Sequence, residues 1–222
     1  MHILVMHATT NTTKPDATGA FIPEAINFRK YRESSGDTVE VIGFDNKLPP
    51  PKRAPAFLKQ LEGAKPFDAI VYIGHGLRNS LPSAGITATY RTKFAQLIQA
   101  KSLSKTKVFV TLFACSAAET TTGQPGGEGG FADKLRDDLV ALGFSEGWID
   151  AHPVPGHATQ NSQVRRFFIS AEQAPKGGTW LVTPGSPEFP KWRSKLNSKW
   201  RDDPFRFQFP YMSQADVLAA CK

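Results

Sequence analysis

The chain has 222 residues, of which 40% are hydrophobic and 21% charged, and this composition suits one globular domain, alone or with a small appendage. Two complete hydrophobic cores would need a longer chain. The longest apolar runs stop well short of the roughly 18 residues that a membrane-spanning helix needs. Residues 1–7 carry no basic residue ahead of their apolar stretch, so we expect a strand there rather than a signal peptide.

Cysteine content and charge narrow the remaining classes of protein. The two cysteines, Cys115 and Cys221, are too few for a disulfide framework or an all-cysteine zinc site, which favours a reducing, cytoplasmic location. Basic side chains outnumber acidic ones by 27 to 20, which gives a net charge of +7 and a pI near 9.5. A charge of this sign raises nucleic acid, an acidic protein or an anionic surface as partners.

The chain alternates short apolar strands with amphipathic helices, which predicts an α/β domain of three layers with a mainly parallel sheet. The proline run at 49–51 predicts a stiff surface connection, and Gly143 is predicted to end a helix in the left-handed conformation. Predicted strands cover residues 2–7, 38–44, 68–74, 107–114 and 148–151, with a possible hairpin of 164–170 and 179–182; predicted helices cover 56–61, 90–100, 131–142, 191–200 and 214–221, and one more begins near Pro23 and ends before Gly36.

Two consecutive predicted strands end in reactive residues. The apolar strand at 68–74 runs into His75-Gly76, and the apolar strand at 107–114 runs into Cys115. One helix lies between them, so a right-handed crossover would make the two strands parallel neighbours. Because the carboxyl ends of parallel strands share one edge of the sheet, we expect His75 and Cys115 to face each other there.

A histidine beside a cysteine suits nucleophilic catalysis. The thiolate is the nucleophile, and a nearby imidazole activates the thiol of Cys115 by accepting its proton. Gly76 allows a substrate carbonyl to approach the backbone closely, and its amide, together with the amide of Cys115, can donate to an oxyanion. We therefore interpret His75, Gly76 and Cys115 as candidate catalytic residues.

The two strand endings resemble those of the caspase-like (clan CD) cysteine peptidases. The matching residues are 70–76 (Ile-Val-Tyr-Ile-Gly-His-Gly) and 109–116 (Phe-Val-Thr-Leu-Phe-Ala-Cys-Ser), and the second block looks closest to the CHAT-type pattern. The resemblance covers residues 1 to about 150 and implies a caspase-like sandwich in which His75 is the general base or acid and Cys115 the acylated nucleophile. The chain lacks the His-Ser-Gly that follows the metacaspase cysteine, and no acidic residue immediately precedes Cys115.

Other polar residues offer further roles. Asp150, at the end of a later predicted strand, is a candidate for binding a basic substrate side chain. His152 and His157 have a spacing that two metal ligands can use, but no cysteine or carboxylate cluster accompanies them, so we expect no metal and no other cofactor. A backbone carbonyl, Asn11 or Thr10 is a candidate partner for the second ring nitrogen of His75.

The glycine-rich stretch at 123–130 lacks the Gly-Lys-Ser/Thr ending of a phosphate-binding loop, so we interpret it as a mobile loop that either folds over bound substrate or is a segment open to cleavage. Residues 164–206 hold nine basic and four acidic side chains, and thus +5 of the net charge. Trp192, Leu196 and Trp200 recur every four residues, which predicts a helix docked by its apolar stripe. We do not expect nucleic acid as a partner, since no base-reading motif is present.

Together these patterns predict a cytoplasmic cysteine endopeptidase that cleaves peptide bonds through a thioester. Residues 1–186 form the caspase-like domain in this interpretation, and residues 187–222 form a basic, aromatic extension docked on it. Its partners are a protein or peptide substrate and, for the extension, an acidic partner; no membrane is expected. Two alternatives stay open: an inactive caspase-fold interaction module, and a nucleic-acid-binding protein that uses the extension.

Overall fold

A six-stranded sheet forms the centre of the computed structural model, which describes residues 1–9, 20–119, 129–153, 155 and 164–170. The strands lie in the order β2-β1-β3-β4-β5-β6. Strands β1 to β5 are parallel, and β6 is an antiparallel edge strand. The strands are β1 (His2–Ala8), β2 (Thr38–Phe44), β3 (Ala69–Ile73), β4 (Lys107–Phe113), β5 (Glu146–Ala151) and β6 (Arg165–Phe168).

Helices cover both faces of the sheet. Four are described: α1 (Phe21–Glu33), α2 (Pro50–Gly63), α3 (Ala88–Lys101) and α4 (Phe131–Ala141). Alternate residues of a strand face opposite ways, and β3 shows the result: Val71 lies beneath α1, whereas Tyr72 contacts Phe57 of α2 on the other side. α3 lies between α2 and α4. The predicted α/β class with a mainly parallel sheet is confirmed, and the layering is compatible with a three-layer sandwich.

The apolar sequence of β3 explains its central position. All five of its residues are buried, as expected for a parallel strand covered on both faces. β1 and β4 flank it, and both are also largely buried. The crossover from β3 through α3 to β4 therefore makes the two predicted strands neighbours in register, as the sequence indicated.

The structure corrects the interpretation of the proline run. Residues 49–51 are not a connection: α2 begins at Pro50 and extends to Gly63, well beyond the predicted helix at 56–61. The first helical positions have no intrahelical acceptor for their N–H groups, so prolines with their fixed φ fit there. Gly143 has φ +98° after α4, which confirms its role as the left-handed stop.

Several predicted elements fall on parts of the chain that lie outside the described residues. These are the second arm of the hairpin at 179–182 and the helices at 191–200 and 214–221, and the extension at 187–222 lies there as well. The first arm of that hairpin is β6, which pairs with β5. None of the helices found in the described residues is long and apolar enough to cross a membrane.

Gly147→Ala is expected to be much more destabilising than Gly143→Ala. Both glycines have positive φ, +105° and +98°, so each substitution carries a backbone penalty of about 1–2 kcal/mol. A β-carbon at Gly147 would also overlap the carbonyl oxygen of Val108 on β4, whereas nothing lies within 4 Å of the same position at Gly143. We expect about 1–3 kcal/mol of additional loss at Gly147. Urea unfolding of both variants measures the difference, and equal losses would contradict the packing described between β4 and β5.

Candidate active site

The ends of β3 and β4 meet at one edge of the sheet. The two strands are paired up to Ile73 and Phe113, and the N–H of Gly74 donates to the carbonyl of Phe113 at 3.3 Å. His75 is therefore the second residue after β3, and Cys115 is the second residue after β4. The parallel register places them at equivalent positions on neighbouring strands.

Gly76 allows the two strand ends to touch. A β-carbon at this position would lie 2.5 Å from the carbonyl oxygen of Cys115 and 2.6 Å from the β-carbon of Ala114. Real β-carbons do not approach other atoms this closely, so only glycine fits without separating the segments. The structure thus brings the segments that carry His75, Gly76 and Cys115 together at one edge of the sheet.

The backbone turns sharply just after Cys115. Ser116 has φ +55° and is the only non-glycine residue with a positive φ in the described part of the chain. The N–H of Ala117 donates to the carbonyl of Ala114 at 3.4 Å, which closes the turn around Cys115. Strained residues of this kind cluster at functional sites because the surrounding structure must hold them. Cys115 is half-buried at the start of this turn and forms no disulfide.

Hydrogen bonds to two other elements hold the turn in place. The N–H of Ala118 donates to the carbonyl of His152, just after β5, at 2.9 Å. The N–H of Ala132, in the first turn of α4, donates to the carbonyl of Ala117 at 2.9 Å. The Cys115 segment is therefore fixed to β5 and α4 as well as to the end of β3.

His75 is also held by its surroundings. Its N–H donates to the side-chain oxygen of Ser83 at 3.0 Å, and its carbonyl accepts a hydrogen bond from the Tyr72 hydroxyl at 3.0 Å. The ring of Phe21, the first residue of α1, contacts the imidazole edge-on with 5.0 Å between ring centroids. Sequence reasoning missed Tyr72, Ser83 and Phe21. A tyrosine within an otherwise aliphatic strand was the available signal, because a buried tyrosine hydroxyl requires a hydrogen-bond partner.

Burial dominates the titration of Tyr72. Desolvation raises its pKa well above the ordinary value of 10.0. Hydrogen bonds from the Ser83 side chain and the Ala84 backbone act in the opposite direction, and the charge of Cys115 adds to the increase. The tyrosine is therefore a neutral hydrogen-bond donor at neutral pH.

Asp150 lies away from the other predicted site residues. It pairs in register with Thr111, four residues before Cys115, and its side chain is buried on the face that carries α1. Arg166 of β6 donates two hydrogen bonds to its carboxylate, at 2.8 and 2.9 Å, and stacks 3.9 Å above the ring of Trp148. Because the carboxylate is already paired within the domain, this geometry does not support the predicted binding of a basic substrate side chain.

Of the two histidines whose spacing suits metal ligands, the structure describes His152. His152 is fully buried, and its ring lies 5.6 Å from that of Phe113. In the described residues, no three His, Cys, Asp or Glu side chains are grouped closely enough to hold a metal ion. His157, Asn11, Thr10, Cys221 and most of the glycine-rich stretch lie outside the described residues.

The fold and this edge define the protein as an α/β protein with a candidate cysteine–histidine site at the carboxyl ends of two parallel strands. No protein-family model matches the chain. No curated protein matches it either. The assignment of a function therefore depends on the geometry of this edge.

Gly76→Ala is expected to separate the two strand ends. The added methyl group meets the Cys115 carbonyl and Ala114, so the backbone must shift and the free energy of unfolding should fall by about 1–3 kcal/mol. The alkylation rate of Cys115 by iodoacetamide should change with it. Cys221→Ser provides a background with one reactive thiol. Gly63→Ala is the control, since no atom lies within 4 Å of its β-carbon position; if both variants behaved like the parent protein, the contact at Gly76 would be wrong.

Arg166→Met is expected to cost about 3–5 kcal/mol at neutral pH, because it leaves Asp150 buried without its partner. Burial already raises the pKa of Asp150 despite the hydrogen bonds and charge of Arg166, and removing Arg166 raises it further. A carboxyl whose pKa is raised by folding destabilises the protein above its unfolded pKa of about 3.9. The cost should therefore shrink as the pH falls from about 7 toward about 4.

Urea unfolding at the two pH values measures this dependence. Arg29→Met is the matched control, since Arg29 pairs with Glu33 one turn along α1 at 2.7 Å and both side chains are exposed. An exposed pair contributes about 0–1 kcal/mol, so this variant should lose little at either pH. A loss for Arg166→Met that does not depend on pH would contradict the role assigned to the charge of Asp150.

Proposed function

We propose that the protein is a cysteine endopeptidase with a caspase-like fold that hydrolyses peptide bonds through His75 and Cys115. The observation that carries this proposal is the contact of Gly76 with the backbone of Cys115, which needs a glycine directly after the histidine. This contact leaves the His75 and Cys115 segments side by side at the crevice edge of a parallel sheet, where ligands bind in folds of this class.

In the proposed mechanism, His75 accepts the proton of the Cys115 thiol, and the thiolate sulfur attacks the carbonyl carbon of the scissile bond. The N–H groups of Cys115 and Gly76 stabilise the negative oxygen of the tetrahedral intermediate. When the intermediate collapses, the C–N bond breaks, the leaving amine takes the proton from His75, and a thioester remains. Water then attacks the thioester and gives a proton to His75, and the released thiolate regains it.

The turn at Ser116 supports a role for Cys115 as a nucleophile. A left-handed residue directly after Cys115 stops the chain from continuing β4, which keeps the cysteine at the edge of the sheet. An amide donor in an oxyanion hole is typically worth about 3–4 kcal/mol in the transition state. Backbone geometry at Gly76 and Cys115 is thus as important to the proposed chemistry as the two side chains.

The order of the strands supports the caspase-like identity. The proposed base follows the third strand and the proposed nucleophile the fourth, and the two strands are adjacent in the centre of the sheet. This matches the arrangement that the resemblance implies. Because Arg166 already pairs with Asp150, this carboxylate is not assigned to binding a basic substrate residue. The proposal therefore includes no preference for basic residues. A cytoplasmic location and an acidic partner for the extension remain predictions.

A peptidyl acyloxymethyl ketone tests the proposal. In the Cys221→Ser background, the probe should alkylate Cys115, and mass spectrometry of the digested protein locates the adduct. Cys115→Ala should abolish labelling, and His75→Ala should slow it by roughly 10²–10⁴-fold, the range expected when a general acid–base group is lost. A peptide library incubated with the same three proteins should show cleavage only with the parent.

Two other results would overturn the proposal. If the probe labelled the parent no faster than iodoacetamide labels an ordinary thiol, and no peptide were cleaved, the interaction-module alternative would be favoured. If the Cys115→Ala variant bound single-stranded DNA as tightly as the parent, with a steep dependence on salt, nucleic-acid binding through the basic residues would be favoured. Circular dichroism of each variant establishes that the fold is intact.

A further inference from the structure

The main chain of His75 is held on both sides by one pair of side chains. Its N–H donates to Ser83 and its carbonyl accepts from Tyr72, each at 3.0 Å. Tyr72 and Ser83 thus form a clamp on the two peptide groups that flank the His75 side chain.

The side chains of Tyr72 and Ser83 are both held in place by their own surroundings. Tyr72 is 1% exposed and its ring stacks on Phe44, with 5.8 Å between centroids and 19° between planes. Ser83 is 3% exposed and lies in a tight turn that is closed by paired hydrogen bonds between Leu81 and Ile86, at 2.8 and 3.2 Å. Neither group can move without disturbing the core or the turn.

Gly74 leaves free the space that the Tyr72 hydroxyl occupies. A β-carbon at this position would lie 2.7 Å from the Tyr72 hydroxyl oxygen and 3.3 Å from the β-carbon of Ser83. The hydroxyl of Tyr72 therefore passes through the space that a side chain at Gly74 would occupy, and so reaches the carbonyl three residues along the chain. The hydroxyl is directed at the His75 backbone rather than at a partner elsewhere in the core.

We propose that Tyr72 and Ser83 are positioning residues that fix the His75 backbone, and with it the direction in which the imidazole meets the Cys115 thiol. This inference rests on the proposed function, in which His75 and Cys115 exchange a proton. Phe21 packs against the imidazole edge-on and limits its rotation. The hydrogen bonds of Tyr72 and Ser83 fix the backbone from which the imidazole extends. A base that is displaced by a fraction of an ångström loses its alignment with the thiol.

The pH profile of Cys115 alkylation tests the positioning role, because it measures the proton equilibrium between the two side chains rather than stability. In the Cys221→Ser background, the parent should react with iodoacetamide well below the ordinary thiol pKa of about 8.5. His75→Ala should react only as the pH approaches that value. Tyr72→Phe and Ser83→Ala should move toward the His75→Ala profile, with the rate near pH 6 falling roughly tenfold.

Matched controls exist for both variants. Ser80→Ala removes a hydroxyl from the same loop, where Ser80 bonds to Leu77 through its backbone, and Tyr90→Phe removes a tyrosine hydroxyl from α3. Both should keep the parent profile. Because Tyr72 and Ser83 hold the same stretch of backbone, the double variant should be at least as slow as the slower single variant. If Tyr72→Phe does not fold, the comparison of Ser83→Ala with Ser80→Ala decides the question alone.

The outcomes separate this inference from the proposed function. If the parent differs from His75→Ala while Tyr72→Phe and Ser83→Ala match the parent, the positioning role is wrong and the proposed function stands. If the parent and His75→Ala share one profile, with a midpoint near the ordinary thiol pKa, no proton equilibrium joins His75 to Cys115 and both proposals are wrong.

Discussion

The edge-to-edge contact of β3 and β4 is the constraint on which the rest of the site depends. Two parallel strands end in register, and the chains that leave them touch because Gly76 has no side chain. A single methyl group there would move the Cys115 carbonyl, and with it the turn at Ser116. The hydrogen bonds from that turn to β5 and α4 then carry the geometry into the neighbouring elements. The register of the sheet and the geometry of the candidate site therefore depend on the same packing contact.

Much of the fold could be predicted from the sequence because its signals are local. The continuous apolar run of β3 and the helix that follows it determine the class, the crossover and the shared edge. Signals that depend on context were harder to interpret. A proline run suits a surface connection or the first turn of a helix equally well, and here it forms the first turn of α2. The local sequence does not distinguish the two.

In the candidate site, too, some residues could be predicted from the sequence and others could not. His75, Gly76 and Cys115 could be predicted because they lie within three residues of the ends of two apolar strands. Ser83 could not, since it reaches His75 through a loop whose shape no sequence period describes. The partner of Asp150 could not be predicted either, because Arg166 lies sixteen residues away on an antiparallel strand. Sequence distance conceals a pairing of this kind, whereas burial of the carboxylate makes it necessary.

The space shared by Gly74 and Tyr72 has a consequence for how related chains can vary. The Tyr72 hydroxyl occupies the volume that a side chain at Gly74 would need, so the two positions cannot both be large. Among homologues, a residue with a β-carbon at position 74 should occur only with a shorter residue at position 72, and a chain with that exchange would have to hold its histidine by other means. Covariation between these two positions would therefore show which related chains keep the hydrogen bond from Tyr72 to the histidine backbone.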